Sequence, residues 1–379
     1  MASKTCVNGT NYLVVEGKTL LSGTAYTIKD GKTLVGGTAY TIPLSGHVIE
    51  LTFNANGGTG GMTKLYYRYA ENAFFSDSAC TQQVTTVTKP TRTGYDFAHY
   101  YGDGSCGGTN GERYVAYEST IFASDLCTDI YKSATLYAKW TPKTYTMSFD
   151  SNGGSACSAK TVTYEAAIGT LPTPTRSGYH FVGWFTGTAS RDSSIAYKDR
   201  PWIYYSDAYG DLYNAFGYND LSLASHYWDA GQYEGRRRSQ YLAADIYRTA
   251  GDITLYAGWT PVYNVSQTTE NWSDWSFIKD LAWEDYEGYR SMSINGGGDI
   301  AATTRTDTAV YGQRLYVMAK NKYSERWSNI IVNNVDQGEY HTAEYSMPIS
   351  APTAVVWVFD TRNWIFDNPQ AFWDCYIWY

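Results

Sequence analysis

The chain is short of charge. Only 17% of its 379 residues are Asp, Glu, Lys or Arg, and acids outnumber bases 37 to 29. With a net charge of −8 and one brief basic run, Arg236-Arg237-Arg238, it offers little to a phosphate backbone. Nucleic acid is therefore not an expected partner. Long hydrophobic runs are lacking as well. No stretch approaches the roughly 18 apolar residues of a membrane span, and no membrane insertion is expected. The opening residues, Met1-Ala2-Ser3-Lys4-Thr5-Cys6, lead into polar, Gly-rich sequence with no apolar export core, and Cys375-Tyr376-Ile377-Trp378-Tyr379 carries no basic tail or anchor. Synthesis in the cytoplasm without ordinary export is the expectation.

Motifs that carry chemistry are missing too. The six cysteines (Cys6, Cys80, Cys106, Cys127, Cys157, Cys375) include no Cys-x-x-Cys pair, and the five histidines are scattered. Neither a metal nor another cofactor is expected. Free thiols are the expected state, although Cys80, Cys106 and Cys127 fall in one segment where a bridge is geometrically open. The nearest approach to a nucleophile elbow, Gly102-Asp103-Gly104-Ser105-Cys106-Gly107-Gly108, has Asp where the first Gly belongs and reads as a loop. Phosphate-cradling Gly-x-x-x-x-Gly-Lys and His-Glu-x-x-His patterns do not occur. We expect no enzymatic activity.

What is present is aromatic surface. The chain holds 37 Tyr, 13 Trp and 35 Gly. Tyr, Trp, Thr and Val favour half-buried strands, and Gly, Asn and Asp favour the turns between them. The fold class expected is all-β to α+β.

Repeats organise the chain. Gly17-Lys18-Thr19-Leu20 to Ile28 recurs as Gly31-Lys32-Thr33-Leu34 to Ile42, with Asp30-Gly31 as a tight-turn signal between the copies. Residues 1–46 thus read as a Gly-rich β-ribbon too poor in large apolar groups to bury a core alone, and suited to attachment to a larger assembly. A longer repeat follows. Leu51-Thr52-Phe53-Asn54-Ala55-Asn56-Gly57-Gly58 matches Met147-Ser148-Phe149-Asp150-Ser151-Asn152-Gly153-Gly154. Pro90-Thr91-Arg92-Thr93-Gly94-Tyr95-Asp96-Phe97 matches Pro174-Thr175-Arg176-Ser177-Gly178-Tyr179-His180-Phe181. Leu136-Tyr137-Ala138-Lys139-Trp140 matches Leu255-Tyr256-Ala257-Gly258-Trp259. Alternation puts Leu136, Ala138 and Trp140 on one strand face. Trp140 and Trp259, and likewise Tyr95 and Tyr179, are expected as buried equivalents, and His180 at the strand surface.

These three blocks, twice in the same order, resemble the Listeria–Bacteroides repeat, the B-repeat of internalin-type surface proteins. The resemblance covers two copies, 47–142 and 143–261. It implies tandem β-grasp-like modules used as stalk or adhesive units, without catalytic residues. The chain departs from the repeat in length, because both copies are expanded between the Gly-Tyr-x-Phe block and the closing strand. The larger insertion, 187–250, is Tyr-rich, and Ser239 to Arg248 reads as helical. A rigid scaffold carrying an aromatic loop suits target contact. Trp202, Tyr204, Tyr205, Trp228 and Tyr233 are the candidate anchors, set against the alternative that they form a satellite core. On the first view the loop could be exchanged for a short linker without loss of fold.

Residues 262–379 hold eight of the 13 Trp and read as a β-sandwich or jelly roll, with strands at Gln313–Ala319, Asn329–Asn333, Ala354–Phe359 and Cys375–Tyr379. Trp272, Trp275 and Trp283, each beside carboxylates, are secondary candidates for glycan or protein contact. A glycosidase would further need two carboxylates about 5–9 Å apart. The functional expectation is a non-enzymatic structural and binding protein on a phage virion, as head fibre, decoration or tail fibre. Its expected partners are capsid or tail proteins through residues 1–46, a host surface glycan or protein, and other copies of itself in a homo-oligomer. The alternative is a bacterial cell-surface adhesin.

Overall fold

The computed structural model describes residues 48–102 (69, 70 and 72 apart), 133–267, 306–317, 330–337 and 345–356 in full, and outside these the backbone of strands. The chain divides into two compact units. The first comprises Met1–Tyr145, Val162–Ala166 and Ile246–Gly251; the second comprises Thr146–Thr161, Ala167–Asp245 and Asp252–Tyr379.

In the first unit the N-terminal ribbon is a series of two-stranded hairpins, Lys4–Val7 with Thr10–Leu13, Lys18–Leu21 with Thr24–Thr27, and Gly31–Val35 with Thr38–Ile42. Each copy of the 14-residue repeat is thus one hairpin. Leu21 pairs with Thr24 and Val35 with Thr38; Gly31 begins the second of these hairpins, and Asp30, the other half of the expected tight turn, lies outside the described residues. The rest of this unit is built on a seven-stranded sheet. Its central strand, Val48–Asn54, has beside it Ala134–Pro142, which runs parallel to it and antiparallel to Tyr95–Tyr101 on the other side. Ile49, Leu51, Phe53, Leu65, Tyr67, Tyr100, Leu136 and Ala138 form its core.

The second repeat in sequence has the same pairing. Met147–Asp150 runs parallel to Ile253–Tyr256, and Tyr179–Phe185 runs antiparallel to the same long strand, Ile253–Asn271. Even the irregularity is shared: the register shifts between Phe97 and His99 in one and between Phe181 and Gly183 in the other.

The repeated residues explain this agreement. Asn54 Oδ1 accepts the Asn56 amide at 2.8 Å, and Asp150 Oδ1 accepts the Asn152 amide at 2.8 Å, so each turn is nucleated by its own side chain. Asn56 and Asn152 then take positive φ, 46° and 47°, followed by Gly57 and Gly153 at 86° and 84°. Over each turn lies an indole. Trp140 Nε1 donates to Ala55 and Asn56 carbonyls at 3.0 Å, and Trp259 Nε1 donates to Ser151 O at 2.9 Å. The Asn-Gly-Gly block and the Trp of the closing strand are thus two halves of one structure. Leu136 and Ala138, Leu255 and Ala257 are fully buried, as alternation requires.

In the C-terminal part of the second unit the strands belong to two sheets. One places Thr304–Val310, Thr353–Phe359, Ser328–Val332 and Val335–Glu339 with the extended strand Ile253–Asn271. The other holds Asp280–Tyr286, Tyr289–Asn295, Trp373–Trp378, Arg314–Asn321 and Glu344–Pro348. All four strands expected from sequence in this region are present. The whole is all-β to α+β.

Candidate functional site

The insertion of the second unit leaves the sheet at Phe185 and returns at Ile253. Pro201 opens α1 (Pro201–Ala208) at the first helical position, where its missing N–H costs nothing. Two further short helices follow, α2 (Gly210–Phe216) and α3 (Asp220–His226), the last capped by Asn219, whose side chain accepts from the Ser222 amide at 2.9 Å. A π-helical turn, Tyr227–Gly231, ends the run. Ser239 to Arg248, expected as helix, is not helical. Its Asp245 carboxylate accepts from the Leu242 amide and pairs with Arg237 at 2.7 Å, so local side-chain bonds replace a helical ladder.

The candidate anchors are placed unequally. Trp202 is 2% exposed and Tyr205 is fully buried, at the centre of a cluster with Val182, Phe185, Ile203 and Leu223. Trp202 Nε1 donates to Thr260 Oγ1 at 3.2 Å, fastening α1 to the long strand. Tyr204 packs on the same cluster, edge-on to Phe185 and Tyr197 at 5.7 and 5.6 Å. Trp228 is half-buried, and its Nε1 donates to Tyr311 O at 3.3 Å. Four of the five therefore build a satellite core. Burial takes Trp202 and Tyr205 out of reach of any partner while the insertion stays folded. Tyr233 alone projects, 82% exposed, in the turn after the π-helical segment. Trp272 and Trp275 lie outside the described residues, as do Cys106 and Cys127; of Trp283 only the strand backbone is described. Cys80 and Cys157 are free thiols.

Nor is the insertion an exchangeable loop. Arg314 Nε meets Asp229 Oδ2 at 3.0 Å, and a Cβ on Gly312 would stand 2.3 Å from Ala224 Cβ. Together with the Trp228–Tyr311 bond, these contacts clamp the insertion against the turn after Val310. Within it, Asp207 is a hub. Its carboxylate accepts from Ser190 N and Oγ, Arg191, Tyr197 and Tyr218 at 2.7–3.0 Å. Burial alone would raise its pKa, but these donors outweigh burial and hold it below the usual carboxylate value.

A buried polar cluster lies beneath. His180, expected at the surface, is half-buried, and its Nε2 is a buried atom without a hydrogen-bond partner. Burial, with the nearby Arg238 charge, lowers its pKa to about 4. Arg238 stands 5.2 and 5.3 Å over the Tyr227 and Trp228 rings, and burial lowers its pKa too.

The Pro-Thr-Arg-x-Gly-Tyr corner was expected to bury its tyrosine. It does not: Tyr95 is half-buried and Tyr179 is 40% exposed. Each ring stands at the start of its strand and is covered by the arginine three residues earlier, with 3.9 Å from guanidinium carbon to ring centre in both. Phe97 and Phe181, two residues on and half-buried, pack edge-on to Trp140 and Trp259 at 5.8 and 5.5 Å. Beside the first corner is a cleft of about 460 Å³, lined by Gly57, Gly58, Thr91, Arg92, Tyr95 and Glu165 among others. Among the described residues no group of His, Cys, Asp or Glu is arranged to hold a metal ion, and no helix is long and apolar enough to cross a membrane.

Comparison with known proteins is consistent with these modules. The Listeria-Bacteroides repeat domain model matches residues 145–201, the turn, corner and first insertion residues of the second repeat. Internalin H of Listeria monocytogenes is 35% identical over 102 residues, 27% of this chain and 16% of that protein. A protein of Evansella cellulosilytica named "Putative Gly-rich membrane protein" is 27% identical over 252 residues, 60% of this chain and 26% of its own length. A second from that organism, "Putative membrane protein", is 30% identical over 109 residues, 29% of this chain and 14% of its own. The chain thus spans about a quarter or less of the curated relatives it matches. No solved structure matches.

Proposed function

We propose that the chain is a non-enzymatic, adhesin-like structural and binding protein displayed on an outer surface. The observation that carries this reading is the shared architecture of the two repeats: the same Asx-nucleated turn, the same sealing Trp and the same register shift. It supports reading 48–142 as a second copy of the repeat whose model matches 145–201. The internalin and membrane-protein relatives favour a surface setting. Each module serves as a stalk unit, and the clamped insertion presents Tyr233 and the polar rim around it to a glycan or protein target.

Within that reading the carrier is either a bacterial surface or a phage virion. The N-terminal hairpins favour the virion, as an attachment segment for capsid or tail proteins. Antibody labelling of intact producing cells and of purified particles tests both. Label on either surface supports display and names the carrier. Label confined to the cytosol, with none on particles, rejects the reading.

A further inference from the structure

The two corners share their sequence and their Arg-over-Tyr stack, yet among the described residues only the first is filled. At the first, the turn Tyr164-Glu165 is seated. The Tyr164 ring lies edge-on to Tyr95 at 5.4 Å and directly over Gly94, where a Cβ would stand 2.4 Å from it. The Tyr95 hydroxyl donates to Glu165 Oε2, and Arg92 lies 3.8 Å from the same oxygen. Lys143 N donates to Gly94 O at 2.9 Å and Tyr164 N to Lys143 O at 2.9 Å, fixing the height of the turn. Glu165 takes a positive φ of 56° to aim its carboxylate there.

At the second corner every receiving group recurs. Gly178 has φ 74° against 77° for Gly94, and Val262 N donates to Gly178 O at 2.9 Å as Lys143 does to Gly94. Arg176 covers Tyr179 at the same 3.9 Å. No turn is seated. Gly178 is exposed with nothing within 4 Å of where a Cβ would stand, and Tyr179 is 40% exposed. Arg176 donates to the Asn152 carbonyl at 3.2 Å, and among the described residues no carboxylate pairs with it.

We propose that the Arg176–Gly178–Tyr179 corner is a binding site for a tyrosine–glutamate turn of a partner polypeptide. The glycine leaves a flat seat for the tyrosine ring. The Tyr179 hydroxyl and the Arg176 guanidinium receive the carboxylate, a charge-assisted pair on a partly shielded surface. The first corner shows this ligand chemistry in place. The site is independent of which surface carries the protein.

The test uses the full chain and an immobilised cyclic peptide bearing Val162 to Ile168 of this sequence. Binding by the unmodified chain is expected, weakened at least tenfold when the peptide's Glu is replaced by Gln or when the chain carries Arg176→Glu. Arg176→Glu should recover binding to a peptide with Lys in place of that Glu. Unmodified chain that ignores the peptide, or binds the Gln peptide equally well, overturns the proposal, and this arm needs no variant to fold. Sedimentation of the chain alone identifies one partner source. Self-association blocked by the peptide would make the partner a second copy, whose exposed Tyr233-Glu234 turn has the required sequence, and would support the site. Self-association that the peptide leaves unchanged, together with no peptide binding, counts against it.

Discussion

Gly154 and Trp259 share one volume: a Cβ on Gly154 would stand 2.5 Å from the Trp259 indole, and Gly58 stands in the same relation to Trp140 at 2.4 Å. Gly154→Ala must push the indole off its bond to Ser151. A loss of about 1–3 kcal/mol is expected, the usual cost of overpacking a well-filled site. Trp259→Ala should cost about 3–5 kcal/mol, the usual loss for a buried aromatic. Urea unfolding of both variants checks this, and a Gly154→Ala midpoint equal to that of the parent would refute the packing argument.

Asp207→Ala should loosen the insertion from within. It strands the Tyr197 hydroxyl and the Ser190 amide and unpairs Arg191, for a loss of roughly 2–4 kcal/mol. Limited proteolysis should then cut within 187–250 well before the repeat sheet. An unchanged cleavage pattern would show that the hub is dispensable.

His180 gives the second unit an acid-sensitive stability. Its pKa is about 4 when folded, against an ordinary value of 6.5. Below pH 6.5 the unfolded chain binds a proton that the folded one does not, so stability falls as pH drops from 6.5 towards 4 and levels off below. His180→Gln should flatten that part of a plot of melting temperature against pH. A parent and variant with parallel curves between pH 4 and 6.5 would remove His180 as the cause.

Tyr233→Ala separates contact from folding. The side chain is 82% exposed, so stability should change by less than about 0.5 kcal/mol. Attachment to the target surface should fall at least tenfold. Trp202→Ala, by contrast, should unfold the insertion at a cost of about 3–5 kcal/mol. If Tyr233→Ala attaches as the parent does, contact lies elsewhere, with the Trp-rich C-terminal strands next to be tested.

Local rules made the repeats readable. Asn-Gly-Gly can hardly do anything but turn, and the alternation in Leu136-Tyr137-Ala138-Lys139-Trp140 assigns its own inner face. The insertion resisted because aromatic composition does not distinguish an anchor from a core. Trp202 and Tyr205 sit beside Pro201, and that proline at a helix start was the available sign that the segment folds on itself. Tyr179 recurs at the position of Tyr95, but recurrence does not set burial, and the stacked Arg176 holds the ring at the rim. The burial of His180 comes from Trp228 and Arg238, about 50 residues away, which no local pattern can announce.

The parallel pairing of the entering and leaving strands, Val48–Asn54 with Ala134–Tyr137 and Met147–Asp150 with Ile253–Tyr256, also governs how each module bears tension. A chain pulled from both sides of such a module loads the ladder along the strands. Its bonds must then yield together, where a hairpin would unzip them one by one. Each expanded segment is spliced between the two strands of the pair, outside the line of force. A module built this way can be stretched hard before its sheet yields.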